Sequence, residues 1–359
     1  MMSINPIKVG LLGFGLGGST FHASLIAEEP GLALIAVATS RTDDVRKRFP
    51  KAAVYGSPAE VIADPAVDLV IVATPDTTHG PLARLALESG KHVVVEKPMA
   101  MSAAEGAALI ALSRERGRML SVFHNRRWDG DFKTVREIVR SRRLGDIKYA
   151  ALIWDRFRPE VARGWREQSH DPWGALMNLG PHLLDQALLL FGRPHSVTGD
   201  LAVQRHHGRS PDYFALTLHY GSGRVLLSAS TLVVDPRPRF ALHGSQGSFV
   251  KHGIDPQESS LRAGVTYGTP GFGEDSEHGV LTLMNSPPER IRTQPGDWRP
   301  FYAGVVAAIT SGSPPPVDPM DAVAGLELIE LARSSAEEGH VRRFKPPHQA
   351  FAAPGSSGD

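Results

Sequence analysis

An amine in Glu96-Lys97-Pro98 and an imidazole in Gly180-Pro181-His182-Leu183-Leu184-Asp185 are side chains of a type that can move a proton at a substrate oxygen near neutral pH. A lysine does this once burial or a neighbouring positive charge lowers its pKa, and a histidine titrates there already. Asn178, His182 and Asp185 are spaced i, i+4 and i+7, which puts all three on one face of a helix. Asp185 is expected there to orient the imidazole or to bond a substrate hydroxyl. One imidazole, one carboxylate and one neutral amide make a poor zinc set, so no metal is expected. Next to a hydride acceptor, such a lysine and histidine would suit dehydrogenation of an alcohol.

The acceptor's site is expected at Gly13-Phe14-Gly15-Leu16-Gly17-Gly18, which follows the apolar run from Ile7 to Leu12 and precedes a helical pattern from Ser19 to Glu29. Gly13, Gly15 and Gly18 let the backbone turn tightly and approach a pyrophosphate at a helix N-terminus. At the end of the second apolar run, where an acid would bond the ribose 2′-hydroxyl of NAD, the chain has Ser40-Arg41. A hydroxyl and a guanidinium can bond a 2′-phosphate that an acid would repel, so NADP is expected, with NAD the weaker alternative. Thr74, Pro75, His79, Glu96 and Lys97 follow the third and fourth apolar runs and reach the same sheet edge. With Phe14 they complete the expected cofactor-binding set.

These groups need a frame. Short β-branched runs separated by helical patterns indicate an α/β chain that begins with a doubly wound parallel sheet, a Rossmann domain over residues 1–124. Residues 125–345 carry longer alternating segments, at Lys148 to Phe157, Tyr213 to Tyr220, Arg224 to Val234 and Arg239 to Val250, interrupted by a helix from Leu176 to Phe191. They read as antiparallel strands of an α+β domain with a mostly antiparallel open sheet, and residues 346–359 as a polar tail. A length of 359 residues accommodates two such domains. With 39 Lys+Arg against 38 Asp+Glu, no global field favours nucleic acid or an anionic membrane. The stretch Arg114 to Arg143 has ten basic and four acidic residues but no DNA-binding signature, and basic outer faces of two helices explain it. The absence of cysteine excludes disulfides, thiolate metal sites and a cysteine nucleophile. The uncharged stretch Val9 to Ala27 holds five glycines, so neither a membrane span nor a leader is expected, and the default compartment is the cytoplasm.

Taken in order, the glycine turn, Ala73-Thr74-Pro75, Glu96-Lys97-Pro98 and Gly180-Pro181-His182-Leu183-Leu184-Asp185 resemble the glucose-fructose oxidoreductase/inositol dehydrogenase/MocA-type (Gfo/Idh/MocA) family, over about Ile7 to Arg343. Thr39-Ser40-Arg41-Thr42, His124-Asn125-Arg126-Arg127-Trp128-Asp129, Arg158-Pro159-Glu160-Val161 and Trp165-Arg166-Glu167 are similar to its NADP-dependent scyllo-inositol dehydrogenase branch. The resemblance implies hydride transfer between NADP and a polyol, cyclitol or sugar alcohol, with Lys97 and His182 beside the nicotinamide and the substrate alcohol. It implies substrate contacts in the second domain, where Asn125, Arg126, Arg156 and Trp165 are the candidates, and oligomer contacts through its sheet, in a homodimer or homotetramer. Relatives commonly carry Asp four residues before the motif histidine, whereas this chain has Asn178. Other sugar or aldose oxidation, or NAD(P) sensing without turnover, are the alternatives.

Overall fold

A computed structural model describes residues 5–161 and 173–344. The first sheet holds six parallel strands: β1 (Ile7–Leu12), β2 (Leu32–Ala38), β3 (Ala53–Tyr55), β4 (Leu69–Val72), β5 (His92–Val95) and β6 (Leu120–Val122). Continuous apolar runs such as Leu69-Val-Ile-Val72, buried throughout, are what a strand covered by helices on both faces requires. The strand order is β3-β2-β1-β4-β5-β6, so the winding reverses between β1 and β4. A crevice opens at such a reversal beyond the carboxyl ends of the strands, and the loops after β1, β2, β4, β5 and β6 converge there. The helix expected over Ser19 to Glu29 begins earlier, as a π-helical turn Gly17–His22 that continues as the α-helix Ala23–Glu28.

The second sheet comprises, among the described residues, β7 (Ile147–Asp155), β8 (Ser196–Ala202), β9 (Tyr213–Tyr220), β10 (Gly223–Ser230), β11 (Phe240–Gly244), β12 (Gly247–Lys251), β13 (Gly279–Leu283), β14 (Glu289–Ile291) and β15 (Arg342–Arg343). Its order is β14-β13-β12-β11-β7-β10-β9-β8-β15. The sheet is mostly antiparallel, as expected, with two departures from the reading of its segments. The β7–β10 pairing is parallel, Arg224 opposite Tyr149, because the chain passes through the Gly174–Phe191 helix and returns by the three-strand meander β8-β9-β10. The segment Arg239 to Val250 is a hairpin rather than one strand. It turns at Ser245-Gln246, where a Cβ on the preceding Gly244 would lie 2.2 Å from the Leu144 carbonyl oxygen. The Gly174–Phe191 helix packs on this sheet, and the Pro319–Glu338 helix packs against it, against β8 and against the Ala103–Glu115 helix of the first region. Phe123, Phe301 and Tyr302 are buried in one aromatic cluster, and Trp298 is buried against Phe21. Residues of both regions line the cleft.

Candidate active site

The glycine turn has the geometry of a cradle. Gly13 has φ +92°, and a Cβ there would lie 2.5 Å from the Ala73 carbonyl oxygen; a Cβ on Gly18 would lie 2.1 Å from the Gly13 carbonyl oxygen. Only glycine permits these two approaches. A Cβ on Gly15 would meet nothing within 4 Å, so that glycine keeps open the space over the turn where a diphosphate would sit. No side chain caps the helical turn that follows, and although the Ser19 N–H donates to the Gly15 carbonyl oxygen at 2.8 Å, the N–H groups before it stay available to an anion. The residues present therefore fit a dinucleotide. Phe14 contributes to the core instead, buried edge-on to Phe49, so any contact of its own with a cofactor falls to its backbone.

Ser40 and Arg41 are exposed just beyond β2, and the Arg41 backbone N–H donates to Thr39 Oγ1 at 3.0 Å. Among the described residues the Arg41 guanidinium makes no hydrogen bond or ion pair. Thr74 Oγ1 lies 2.7 Å from Thr78 Oγ1, and Pro75 caps the short helical turn Asp76–Thr78. His79 is buried, with Nδ1 2.7 Å from the Pro98 carbonyl oxygen and Nε2 2.8 Å from that of Thr74, so it ties the loops after β4 and β5 together.

Glu96 accepts from the Lys97 backbone N–H at 3.0 Å and lies 3.3 Å from His22 Nε2; His22 Nδ1 lies 2.6 Å from Tyr302 Oη. His22 thus bridges the Glu96 carboxylate and the Tyr302 phenol through its two ring nitrogens. Burial opposes the charge on Glu96, but the hydrogen bond from His22 and the nearby Lys97 outweigh it and hold the carboxyl at about 2.

Lys97 reaches out of the first region into the second. Its Nζ donates to the Asn178 carbonyl oxygen at 2.8 Å and to Asn178 Oδ1 at 3.3 Å. Asn178 lies in the Gly174–Phe191 helix, whose interior Pro181 lacks an N–H and loosens the turn. One turn on, His182 is buried, with its ring centre 6.0 Å from that of Trp154 and 6.4 Å from that of His124. Its Nδ1 is buried without a hydrogen-bond partner. Burial, then Lys97 and Arg126, push His182 well below the usual histidine range, so the ring is neutral.

Lys97, Asn178, His182, Glu96, Thr74, His79, Asn125, Arg126 and Arg156 all line one cleft of about 320 Å³, together with Gly17. Asp185 does not join them. Its carboxylate is bonded to Arg127 Nε at 2.9 and 3.2 Å, and Arg127 Nη2 also reaches Asp321 at 2.8 Å, so the aspartate anchors the Pro319–Glu338 helix rather than orienting the imidazole. The spacing i, i+7 spans nearly two turns, so Asp185 stands about 10 Å further along the helix axis than Asn178 and beyond the cleft. Trp165 lies outside the described residues. Among the described residues no group of three or more His, Asp or Glu side chains is placed to hold a metal ion, and no helix is long and apolar enough to cross a membrane.

Glu258 and Arg262 also line the cleft and carried no signal in the sequence reading. They sit on a short helix Gln257–Arg262 far along the chain, where Glu258 pairs with Arg126 and, at 3.2 Å, with Arg262. Beneath them Arg126, Asp129, Asp131, Arg239 and Asp255 are buried together. Three carboxylates share two guanidinium groups there, and burial with mutual repulsion pushes Asp255 up to about 6. A charge run expected to form solvated helix faces thus hides a buried ionic cluster at its middle, around Arg126, Asp129 and Asp131.

Two family models cover most of the chain: "Oxidoreductase family, NAD-binding Rossmann fold" over residues 7–124 and "Oxidoreductase family, C-terminal alpha/beta domain" over residues 136–343. The chain belongs to the Gfo/Idh/MocA family. It is accordingly an oxidoreductase with an NAD(P)-binding Rossmann domain, in a family of dehydrogenases acting on CH–OH groups. Among Gfo/Idh/MocA relatives it is 42% identical to the uncharacterized oxidoreductase YdgJ of Escherichia coli, over 92% of this chain and 96% of that one. It is 38% identical to the NADP(+)-dependent scyllo-inositol 2-dehydrogenase IolW of Bacillus subtilis, over 93% and 95% of the two chains. A solved structure of a candidate oxidoreductase from Klebsiella pneumoniae superposes with a TM-score of 0.90 at 40% identity, over 96% and 97% of the two chains.

Proposed function

We propose that this protein transfers a hydride between NADP and a secondary alcohol of a polyol, cyclitol or sugar, with scyllo-inositol the first substrate to test. The observation that carries the reading is the contact of Lys97 Nζ with Asn178 at 2.8 Å, in the cleft that also holds His182 and the glycine turn. When bound, the nicotinamide supplies the carbon that accepts or returns the hydride. The N–H groups after Gly15 hold the diphosphate, and Ser40 and Arg41 hold the 2′-phosphate. As the carbinol C–H leaves with its electron pair, the hydroxyl proton must go to a base, and Lys97 as a free amine accepts it. In the reverse direction the ammonium returns that proton to the carbonyl oxygen. His182, kept neutral by burial, bonds the same oxygen or its neighbour. Residence in the cytoplasm and assembly as a homodimer or homotetramer belong to the same proposal.

The test is a fluorescence titration with NADPH followed by a turnover screen of inositols, polyols and aldoses, with their phosphates and uronates, using NADP and NAD in turn. NADP-linked turnover of a polyhydroxylated alcohol is expected. Asn178, neutral where relatives commonly carry an acid, is the feature that favours a second reading, an NAD(P) sensor. Tight NADPH binding with no turnover across the screen would select it.

A further inference from the structure

The cleft holds more positive charge on its substrate side than its own carboxylates neutralise. Arg126 is bonded to Asp129 at 3.3 Å and to Glu258, and Glu258 is shared with Arg262. Arg156, by contrast, has no carboxylate within ion-pair distance among the described residues, although it is only partly exposed and lines the cleft. Its guanidinium lies 5.5 Å from the centre of the Trp154 ring, which itself stacks on His182. Two residues apart at the end of an extended strand, Trp154 and Arg156 project to the same side, so Arg156 prolongs the wall that starts at His182. Arg158, also in the lining, adds a second cation without an ion-pair partner among the described residues. A desolvated cation is costly unless an anion meets it. Here burial and the neighbouring Arg158 push Arg156 down to about 10, against the opposing pull of Glu258.

We propose that the substrate is an anionic polyhydroxylated alcohol, one bearing a carboxylate or a phosphate that pairs with Arg156 while its secondary hydroxyl faces Lys97 and His182. The claim rests on the reading of this cleft as a polyol oxidoreductase site and narrows it. A neutral cyclitol offers this guanidinium only hydroxyl acceptors, whereas a carboxylate or phosphate forms a stronger, charge-assisted bidentate pair with it. The charged side chains that face Arg156 are Arg158, Glu258, Arg126 and Arg262, all on the second region's side of the cleft.

The experiment compares matched pairs on one carbon skeleton with NADP: an inositol against its monophosphate, and an aldose against its uronate, so that the two arms separate phosphate from carboxylate. The anionic member of at least one pair is expected to show a kcat/KM at least tenfold above its neutral partner, an advantage that shrinks with added salt. In Arg156→Gln that anion-to-neutral ratio should fall by about 10- to 100-fold, and Arg156→Lys should recover part of it. Equal or better use of the neutral member in both pairs overturns the proposal. So does a ratio that Arg156→Gln leaves unchanged because both members fall together, and so does a matching rise in the KM for NADP, which would give the cation to the cofactor. If no compound turns over, the oxidoreductase reading of this cleft fails by itself. Calorimetric binding of the same pairs to the NADPH-loaded protein then still decides: tighter, Arg156-dependent binding of the anion upholds the inference, and equal binding refutes it.

Discussion

The two walls of the cleft are built differently. On the side of the first sheet, the features that face the cofactor site are set by backbone: Gly13 and Gly18 touch carbonyl oxygens that no Cβ would tolerate, and Gly15 leaves space. On the side of the second sheet, the wall is a set of long side chains, Trp154, Arg156, Arg126 and Glu258, held by ion pairs and rings over a buried ionic cluster. A backbone-defined site tolerates few sequences and binds a constant group. A side-chain-defined wall can change one residue at a time, which suits the substrate-selecting role proposed for it. Lys97 and Asn178 join the two walls.

The largest effect should come from breaking that junction. Lys97→Met is expected to retain NADPH binding by fluorescence titration while turnover falls about 100-fold or more, the scale of a lost acid or base. Normal turnover would remove Lys97 from the chemistry. On the cofactor wall, Ser40→Asp should reverse the preference for NADP over NAD, an interaction of about 1.5–3 kcal/mol or 10- to 100-fold in kcat/KM. Equal use of both cofactors by the unmodified protein would show that Ser40 and Arg41 do not meet the 2′-phosphate.

A smaller effect sharpens the comparison at the junction itself. Asn178→Asp would put a carboxylate where Oδ1 now lies, 3.3 Å from Lys97 Nζ. It should move the basic-group limb of the kcat/KM profile upward by about one unit, since a nearby negative charge favours the ammonium. An unchanged profile would separate Asn178 from proton transfer.

The smallest effect concerns stability. Burial depresses His182 and His124 in the folded protein, so the unfolded chain takes up protons below about pH 6.5 that the folded chain refuses. Their contribution is complete above that pH and is lost as pH falls toward the folded values, by at most ~1.4 kcal/mol per pH unit for each group. Thermal melts from pH 7.5 to 5 should therefore fall less steeply in His182→Gln than in the unmodified protein. Parallel slopes would show that the ring is not held neutral.

What could be read in the sequence follows the same division. The glycine turn, the apolar parallel strands and the Lys97 loop are local patterns, each written within a few residues, and strand order follows from their winding. Asn178 and His182 were legible because helical spacing links them, but the same spacing gave Asp185 to the cleft, and only Arg127, brought in from the loop after β6, explains why it is held elsewhere. Glu258 meets Arg126 across 132 residues of chain, and no spacing rule connects them. The parallel β7–β10 pairing was hidden for the same reason, since alternation reports which face is buried and not the direction of the neighbouring strand.

The most direct test of hydride transfer at this site is the fate of the carbinol hydrogen. The protein is incubated with NADP and the best substrate from the screen, deuterated at its carbinol carbons, and the reduced cofactor is weighed by mass spectrometry. Direct transfer predicts NADPH one mass unit heavier, formed in step with the ketone and about 100-fold more slowly by Lys97→Met. Unlabelled NADPH, or labelled NADPH produced equally fast without the lysine, would contradict it.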